Sequence, residues 1–226
     1  MPKNKVKFGL RKCSYALVTM TRDETSGAYT VSFGNPVAMP GAVSLSLTAE
    51  GDTSNFYADD SVYYVLNSNA GYSGDLELAL IPESFLADVL KETEDANGVL
   101  IENQDVATQY FALLFEFSGD QKKIRHVMYY CSAARPGIEG KTMEDRKEVK
   151  TETLSITAAP LPECTISGTL FSDGLVKSKT GSNTTDAVYN AWYSAVYVPS
   201  SAAAVESATG NSGYSNGGEP VDPGET

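Results

Sequence analysis

The sequence is poor in histidine and cysteine, and this limits the chemistry that we expect of it. It contains one histidine, His126, and three widely separated cysteines, Cys13, Cys131 and Cys164. No two cysteines form a CxxC pair, so the spacing of a zinc ribbon or a thioredoxin-type redox site is missing. A hydrolase triad would need a nucleophile and an orienting acid near His126, and nothing in the surrounding sequence indicates them. We expect three reduced thiols and a structural histidine within a strand.

Several longer signals are also missing. No apolar run approaches the roughly 20 residues of a membrane-spanning helix, and the basic residues 1–10 are not followed by the apolar stretch of a secretory signal. No Walker loop or GxGxxG motif occurs. The acidic segment 51–60 fails as an EF-hand because the sixth residue counted from Asp52 is Tyr57, where such a loop needs glycine. We therefore expect no enzymatic activity, no metal, no cofactor and no membrane partner.

Charge divides the chain into three segments within a net charge of −12. Residues 1–12 contain only basic charges, residues 13–199 carry the large acidic excess, and residues 200–226 are rich in glycine and serine with only acidic charges. We predict a basic N-terminal arm, a folded domain and a flexible acidic tail over these three ranges. An acidic domain is unsuited to wrapping nucleic acid, although it is compatible with DNA that passes without binding. The basic residues of the predicted arm are Lys3, Lys5, Lys7, Arg11 and Lys12.

Alternation of apolar and polar residues predicts antiparallel strands that are each half-buried. Four strands carry this pattern, at residues 41–48, 75–81, 110–118 and 151–159. In the first, Val43, Leu45 and Leu47 share one face. Weaker patterns predict further strands at residues 13–20, 62–67, 124–133 and 165–171, and a hairpin turn at Asn97-Gly98.

Helical signals are confined to two places. Pro82 is suited to a first helical turn, and Phe85, Leu86, Val89 and Leu90 follow at helical spacing. Residues 185–194 predict a second, weaker helix. The predicted fold class is mainly β, a sandwich or open barrel with one packed α-helix.

Several blocks of the chain resemble one protein family. The blocks include residues 3–10 (KNKVKFGL), 50–65 (EGDTSNFYADDSVYYV), 71–85 (GYSGDLELALIPESF), 111–136 (FALLFEFSGDQKKIRHVMYYCSAARP) and 151–160 (TETLSITAAP). Residues 40–47 (PGAVSLSL) and the later stretches DGLVKSKT and AVYNAWYSAVYVP also fit. Together they resemble the major tail proteins of siphophages and related prophages of Gram-positive bacteria. The resemblance extends to about residue 199 and contains no catalytic motif.

The resemblance implies a structural subunit of a virion tail, made in the host bacterial cytoplasm. Such subunits form six-membered rings that stack around the tape measure protein into a hollow tube, which later conducts DNA from the capsid. Partners would be further copies of this chain, the tape measure protein, the tail terminator and the distal tail protein. The fold implied is a β-sandwich with a helix, a long loop and terminal arms that join neighbours.

Two kinds of site follow for a tube subunit. The polar faces of the four alternating strands are predicted to line the channel, where acidic side chains would repel DNA. The alternatives are that these faces meet solvent outside the tube or lie beneath the helix that contains Phe85 and Leu90, and not all four strands need to face inward. The lumen candidates are Ser44, Ser46, Asp75, Glu77, Glu116, Thr153, Ser155 and Thr157. We also predict that residues 50–64 form a loop between subunits, because exposed aromatic side chains are favoured at interfaces; Tyr63 and Tyr64 could instead fold back onto their own core. The loop candidates are Phe56, Tyr57, Asp59, Asp60, Tyr63 and Tyr64.

The basic arm is predicted to contact an acidic surface of a neighbouring subunit, with a disordered solubilising terminus as the alternative. Two other functions fit the β pattern. One is an immunoglobulin-like surface-binding module, which would remain monomeric. The other is a tail terminator or distal ring protein of the same virion, which would form a single ring that does not polymerise.

Overall fold

The computed structural model describes residues 4–138, 140, 142, 150–172 and 174–200. Two short helices are present in these residues, α1 (Glu83–Asp88) and α2 (Asp186–Ala191). The strands are β1 (Lys7–Arg22), β2 (Tyr29–Phe33), β3 (Val37–Ala38), β4 (Ala42–Glu50), β5 (Thr53–Ala58), β6 (Ser61–Asn67), β7 (Gly71–Leu78), β8 (Thr93–Glu94), β9 (Leu100–Ile101), β10 (Phe111–Gly119), β11 (Ile124–Ala133), β12 (Glu152–Ala158), β13 (Cys164–Ile166), β14 (Thr169–Phe171) and β15 (Lys177–Lys179).

The fold is mainly β with a packed α-helix, as the sequence predicted. Most strands join one large sheet in the order β14-β13-β2-β1-β10-β11-β12-β7-β4, with β15 beside β11 and β3 beside β1. The pairing of β2 with β13 is parallel and the other pairings in this sheet are antiparallel. The strands β5 and β6 pair only with each other, and so do β8 and β9.

The central strands β1, β10 and β11 are covered on both faces. Their alternate side chains enter two separate apolar clusters, so that Leu113 lies in one cluster and Leu114 in the other. The first cluster also receives the apolar side chains of β4, β7, β12 and α1. The second receives those of β2, β13 and β14, together with Trp192 and Val196. These three strands therefore lie between the two apolar cores and contribute side chains to both.

The predicted helix is confirmed as α1. Pro82 precedes it, and the carbonyl oxygen of Pro82 accepts a hydrogen bond from the Phe85 backbone N–H. The Phe85 ring is fully buried and meets the rings of Tyr15 and Phe111 edge-on, at centroid distances of 5.2 and 5.3 Å. The Tyr15 hydroxyl donates a 2.8 Å hydrogen bond to Asp88, which fastens the end of the helix to β1.

Other sequence predictions are confirmed with small changes of length. The predicted strand 124–133 is β11, and the strand predicted at 62–67 is β6. The second helix exists as α2, and the Thr185 side chain caps it by accepting a hydrogen bond from the Val188 backbone N–H. The turn at Asn97-Gly98 joins β8 to β9.

Three strand predictions need correction. The predicted strand 75–81 starts earlier, at Gly71, and ends at Leu78, which leaves Leu80 outside it and exposed. The predicted strand 165–171 is the hairpin β13–β14, because Ser167 and Gly168 both adopt positive φ angles and form a turn. A break in register beside Val43 turns its side chain out to solvent, so Val43 does not share the buried face of β4.

The boundary predicted for the N-terminal arm is wrong for residues 7–12. These residues pair with β10 as the first part of β1, across irregularities near Gly9 and Lys12 that hid the strand from a period-two search. Residues just before them are also tied to their own domain, because the Lys5 backbone N–H donates to Asp120 and the Asn4 side chain binds the β10–β11 turn. Lys3 and the tail 201–226 lie outside the described residues.

His126 is a structural side chain of β11. Its ring stacks on Phe115 at a centroid distance of 5.0 Å and meets Phe117 edge-on. Burial lowers the pKa of His126 to about 4, and the charges of nearby Lys179 and Lys7 add to the effect. The neutral imidazole is therefore the form that the folded protein accommodates.

We expect His126 to make stability depend on pH. An unfolded histidine has a pKa of about 6.5, so between pH ~6.5 and ~4 the unfolded chain binds the extra proton. The free energy of unfolding therefore falls by about 3 kcal/mol as the pH falls through this window. Urea unfolding measured across this window should show a smaller loss for His126→Gln, which cannot titrate, than for the original protein. Equal losses in both proteins would contradict this assignment.

Candidate functional site

The strands β4, β7 and β12 lie side by side and present one continuous polar face. Their apolar side chains, such as Leu76 and Leu154, are fully buried on the opposite side. The three strands contain no lysine, arginine or histidine. Cross-strand register arranges the polar side chains in three rows, Ser44–Glu77–Thr153, Ser46–Asp75–Ser155 and Thr48–Ser73–Thr157.

This arrangement brings together seven of the eight residues that the sequence suggested for a channel wall. We define the polar face as the nine residues of the three rows. Its hydroxyls and carboxylates are exposed or half-buried. Thr48 and Ser73 were not among the predicted channel residues, although continuing the period-two pattern by one step along β4 and β7 would have added both.

Hydroxyl groups hold the carboxylates of the polar face in place. Glu77 accepts hydrogen bonds from Thr151 at 2.6 Å and from Ser44 at 2.8 Å, and Asp75 accepts one from Ser155 at 2.8 Å. The hydrogen bond from Thr151, followed by that from Ser44, holds the pKa of Glu77 below its ordinary value. Glu77 therefore contributes a negative charge to the polar face at neutral pH.

Glu116 was predicted to line the channel, and that prediction is wrong. Its side chain is 0% exposed, because that face of β10 lies against the second apolar cluster. One carboxylate oxygen lies 3.2 Å from Arg125 Nε, and the other lies 3.4 Å from Lys123 Nζ. The alternation along the sequence did not indicate this pair; the register of β10 and β11 places Glu116 directly opposite Arg125.

The Glu116–Arg125 pair fastens α2 to the sheet. The Arg125 guanidinium donates to the Tyr189 carbonyl oxygen and lies 3.8 Å from the centroid of the Tyr189 ring. Tyr193 also faces Arg125, with its ring centroid 5.4 Å from the guanidinium. The carboxylate is thus one part of a buried assembly of charged and aromatic groups.

The segment predicted as a loop between subunits is a β-hairpin, formed by β5 and β6. The prediction of a loop is wrong, but the prediction of exposed rings holds, since Tyr63 is 72% exposed and Tyr64 is 60% exposed. The alternative in which these two rings fold back onto the core is excluded. The large apolar side chains exposed on this hairpin are Phe56, Tyr57, Val62, Tyr63, Tyr64, Val65 and Leu66.

The hairpin extends the β4–β7 pair beyond the rest of the sheet. Ala70 donates a backbone hydrogen bond to Glu50, and Ser68 donates one to Asp52, so the ribbon continues from one pair of strands into the other. A bare Cβ at Gly51 would lie 2.1 Å from the Ser68 carbonyl oxygen, which explains why glycine occupies this crossing. Exposed apolar area on a projecting element marks an interaction surface.

The large sheet also ends in strands with an unpaired edge. β4 is the last strand on one side and β14 is the last on the other, within the part of the chain that the structure describes. Unpaired edges offer backbone N–H and C=O groups to another chain.

The thiols do not form a chemical site. Cys13, Cys131 and Cys164 are buried as free cysteines, and burial raises the pKa of Cys13 and Cys131 to about 12. The described residues contain no cluster of three or more metal-ligating side chains. Among the same residues, neither helix has the length and apolar character needed to span a membrane.

No model of a known protein family matches the chain, and a search of curated protein sequences also returns no match.

The different environments of the acidic residues lead to a stability prediction. Glu116→Ala should destabilise the protein by about 3–5 kcal/mol, because it leaves the largely covered Arg125 guanidinium without its carboxylate partner. Asp75→Ala is the matched control, and it should cost less than about 1 kcal/mol because that carboxylate is exposed. Urea unfolding of the two variants measures the difference. Similar costs for both would mean that Glu116 is not buried as described.

Proposed function

We propose that this chain is the major structural subunit of a phage tail tube, which assembles into stacked hexameric rings around a tape measure protein and forms the channel for DNA ejection. The proposal starts from the sequence blocks that resemble siphophage major tail proteins. One structural observation carries it further: the polar face on β4, β7 and β12 gathers the predicted channel residues on adjacent strands. No catalytic role or cofactor is part of the proposal.

The polar face is suited to the wall of a DNA channel. DNA carries one negative charge per roughly 1.7 Å of its axis, so a surface with lysine or arginine would bind it. The face instead offers hydroxyls and the carboxylates of Asp75 and Glu77, and its strands contain no basic side chain. Repulsion between these carboxylates and DNA acts over about 8–10 Å at ordinary salt concentration.

The hairpin and the sheet edges are suited to self-assembly. Identical subunits that meet head to tail either close into a ring or continue as a helical polymer. The free edge of β4 allows the sheet to continue into a neighbour, and the exposed rings of the hairpin β5–β6 supply apolar area for a further contact. The predicted arm has less support as an interface, since residues 7–12 belong to the subunit's own sheet.

Two alternatives differ from this proposal in their state of assembly. An immunoglobulin-like binding module would stay monomeric. The exposed apolar side chains of the hairpin β5–β6 favour association over a monomer. A tail terminator or distal ring protein would stop at a single ring. Both are tested by the same observation as the main proposal.

Negative-stain electron microscopy of the purified protein tests the function. We expect hollow tubes, formed at high protein concentration or when the tape measure protein is present. The double variant Phe56→Ala/Tyr57→Ala should block tube formation while its urea unfolding stays within about 0.5 kcal/mol of the original, because both rings are exposed. Val99→Ala, an exposed apolar residue outside this hairpin, is the matched control and should form tubes. Monomers or single rings under every condition would contradict the proposal.

The channel role of the polar face makes a separate prediction. Asp75→Lys/Glu77→Lys should still allow tubes to form, because neither side chain packs in the core. Ejection of DNA from phage that carry the variant should slow or stall, and more strongly at low salt where screening is weaker. Asp75→Asn/Glu77→Gln, which removes charge without adding cations, should have a smaller effect. Normal ejection kinetics in the lysine variant would show that this face does not line the channel.

A further inference from the structure

The turn at the tip of the hairpin β5–β6 has an unusual pair of residues. Ala58 pairs with Ser61, so the turn consists of Asp59 and Asp60 alone, with φ angles of 50° and 57°. Turns of this type favour Asn-Gly or Asp-Gly, since glycine adopts positive φ without steric cost. Two adjacent carboxylates also repel each other. Neither forms a hydrogen bond or an ion pair with any described residue, so folding of the hairpin does not account for these side chains.

A cluster of lysines lies near the other end of the same hairpin. We define the lysine cluster as Lys177 and Lys179 of β15, which are both exposed and lie opposite Met128 and His126 of β11. Lys177 lies 4.1 Å from the ring centroid of Tyr72, the residue that follows the start of β7 at the base of the hairpin. Among the described residues, these lysines have no carboxylate within ion-pair distance.

The length of the hairpin prevents the two charged groups from meeting within one subunit. Six residues of β5 span about 20 Å, so the aspartates at the tip lie far from the lysine cluster beside the base. Negative charge at the tip of the hairpin and positive charge on the sheet beside its base are complementary between copies that are arranged head to tail. A contact of this kind does not close on itself in a pair and can be repeated from copy to copy.

We propose that the Asp59-Asp60 turn of one subunit docks onto the lysine cluster of the next subunit. The occupant is a second copy of this chain, and the inference rests on the proposed function because it names the contact that continues the polymer. The aromatic side chains beside both groups, Tyr72 near the cluster and Tyr57 on the hairpin, exclude water from part of the contact and strengthen the attraction. The charges also favour one orientation of docking, since the aspartates of two copies would lie close together and repel if the hairpins met tip to tip.

Two variants with altered charge and their mixture test the contact. Asp59→Asn/Asp60→Lys and Lys177→Glu/Lys179→Glu should each raise the protein concentration needed for assembly by about tenfold or more, measured by light scattering and sedimentation. An equal mixture of the two should assemble at a much lower concentration than either alone, because each tip then meets a cluster of opposite charge. Glu24→Lys/Glu163→Gln changes the net charge by the same amount as the tip variant at exposed sites on other loops and should assemble normally.

A second variant separates docking from turn structure. Asp59→Asn/Asp60→Gly gives the turn its preferred residues, so the hairpin should be at least as stable, yet assembly should weaken because the carboxylates are gone. Assembly that is equal to or better than that of the original protein, or no recovery in the mixture, would overturn the docking contact. If the docking contact is overturned while the unsubstituted protein still forms tubes, the proposed function stands without this contact. If the unsubstituted protein never assembles, the proposed function itself fails.

Discussion

Burial of apolar side chains on both faces of β1, β10 and β11 is the constraint on which the rest of the structure depends. A sheet covered on both sides needs two further layers. The strands β4, β7 and β12 with α1 provide one, and β2, β13, β14 and the segment around Trp192 provide the other. Because β4, β7 and β12 direct their leucines and isoleucine inward, the pleat directs every alternate residue outward. The polar face is therefore a direct consequence of the core.

The same constraint explains the different roles of the acidic residues. Glu77 and Glu116 are both flanked by apolar residues in strands with period two. Glu77 lies on an outer layer with one covered face and is held by hydroxyls at the surface. Glu116 lies on a central strand, where the second layer covers it, and so it requires Arg125 and Lys123 as partners. An acidic residue on an outer strand is therefore exposed to solvent, whereas one on a central strand is buried and needs a counter-ion.

Sequence patterns were most informative where one face of a strand is exposed. The alternation in β12 predicted its buried and exposed residues correctly, and the stripe from Phe85 to Leu90 predicted α1. The patterns failed at β10, whose polar-looking face lies against a cluster that includes Trp192, more than 70 positions away in the chain. They also failed at Gly9, Lys12 and Val43, where irregular register shifts the alternation by one step. Single-residue irregularities and distant coverage are set by tertiary contacts that local alternation does not report.

The core fixes one polar face, and the hairpin β5–β6 projects from the large sheet without pairing with any of its strands. The proposed assembly gives both features a role. A cryo-electron microscopy map of assembled material tests these roles most directly, because it shows where each face points. The account predicts a hollow tube in which Asp75, Glu77 and Thr153 line the inner surface and the β5–β6 hairpin contacts another subunit. A tube whose inner surface is formed by other strands, with this polar face on the outside, would contradict it.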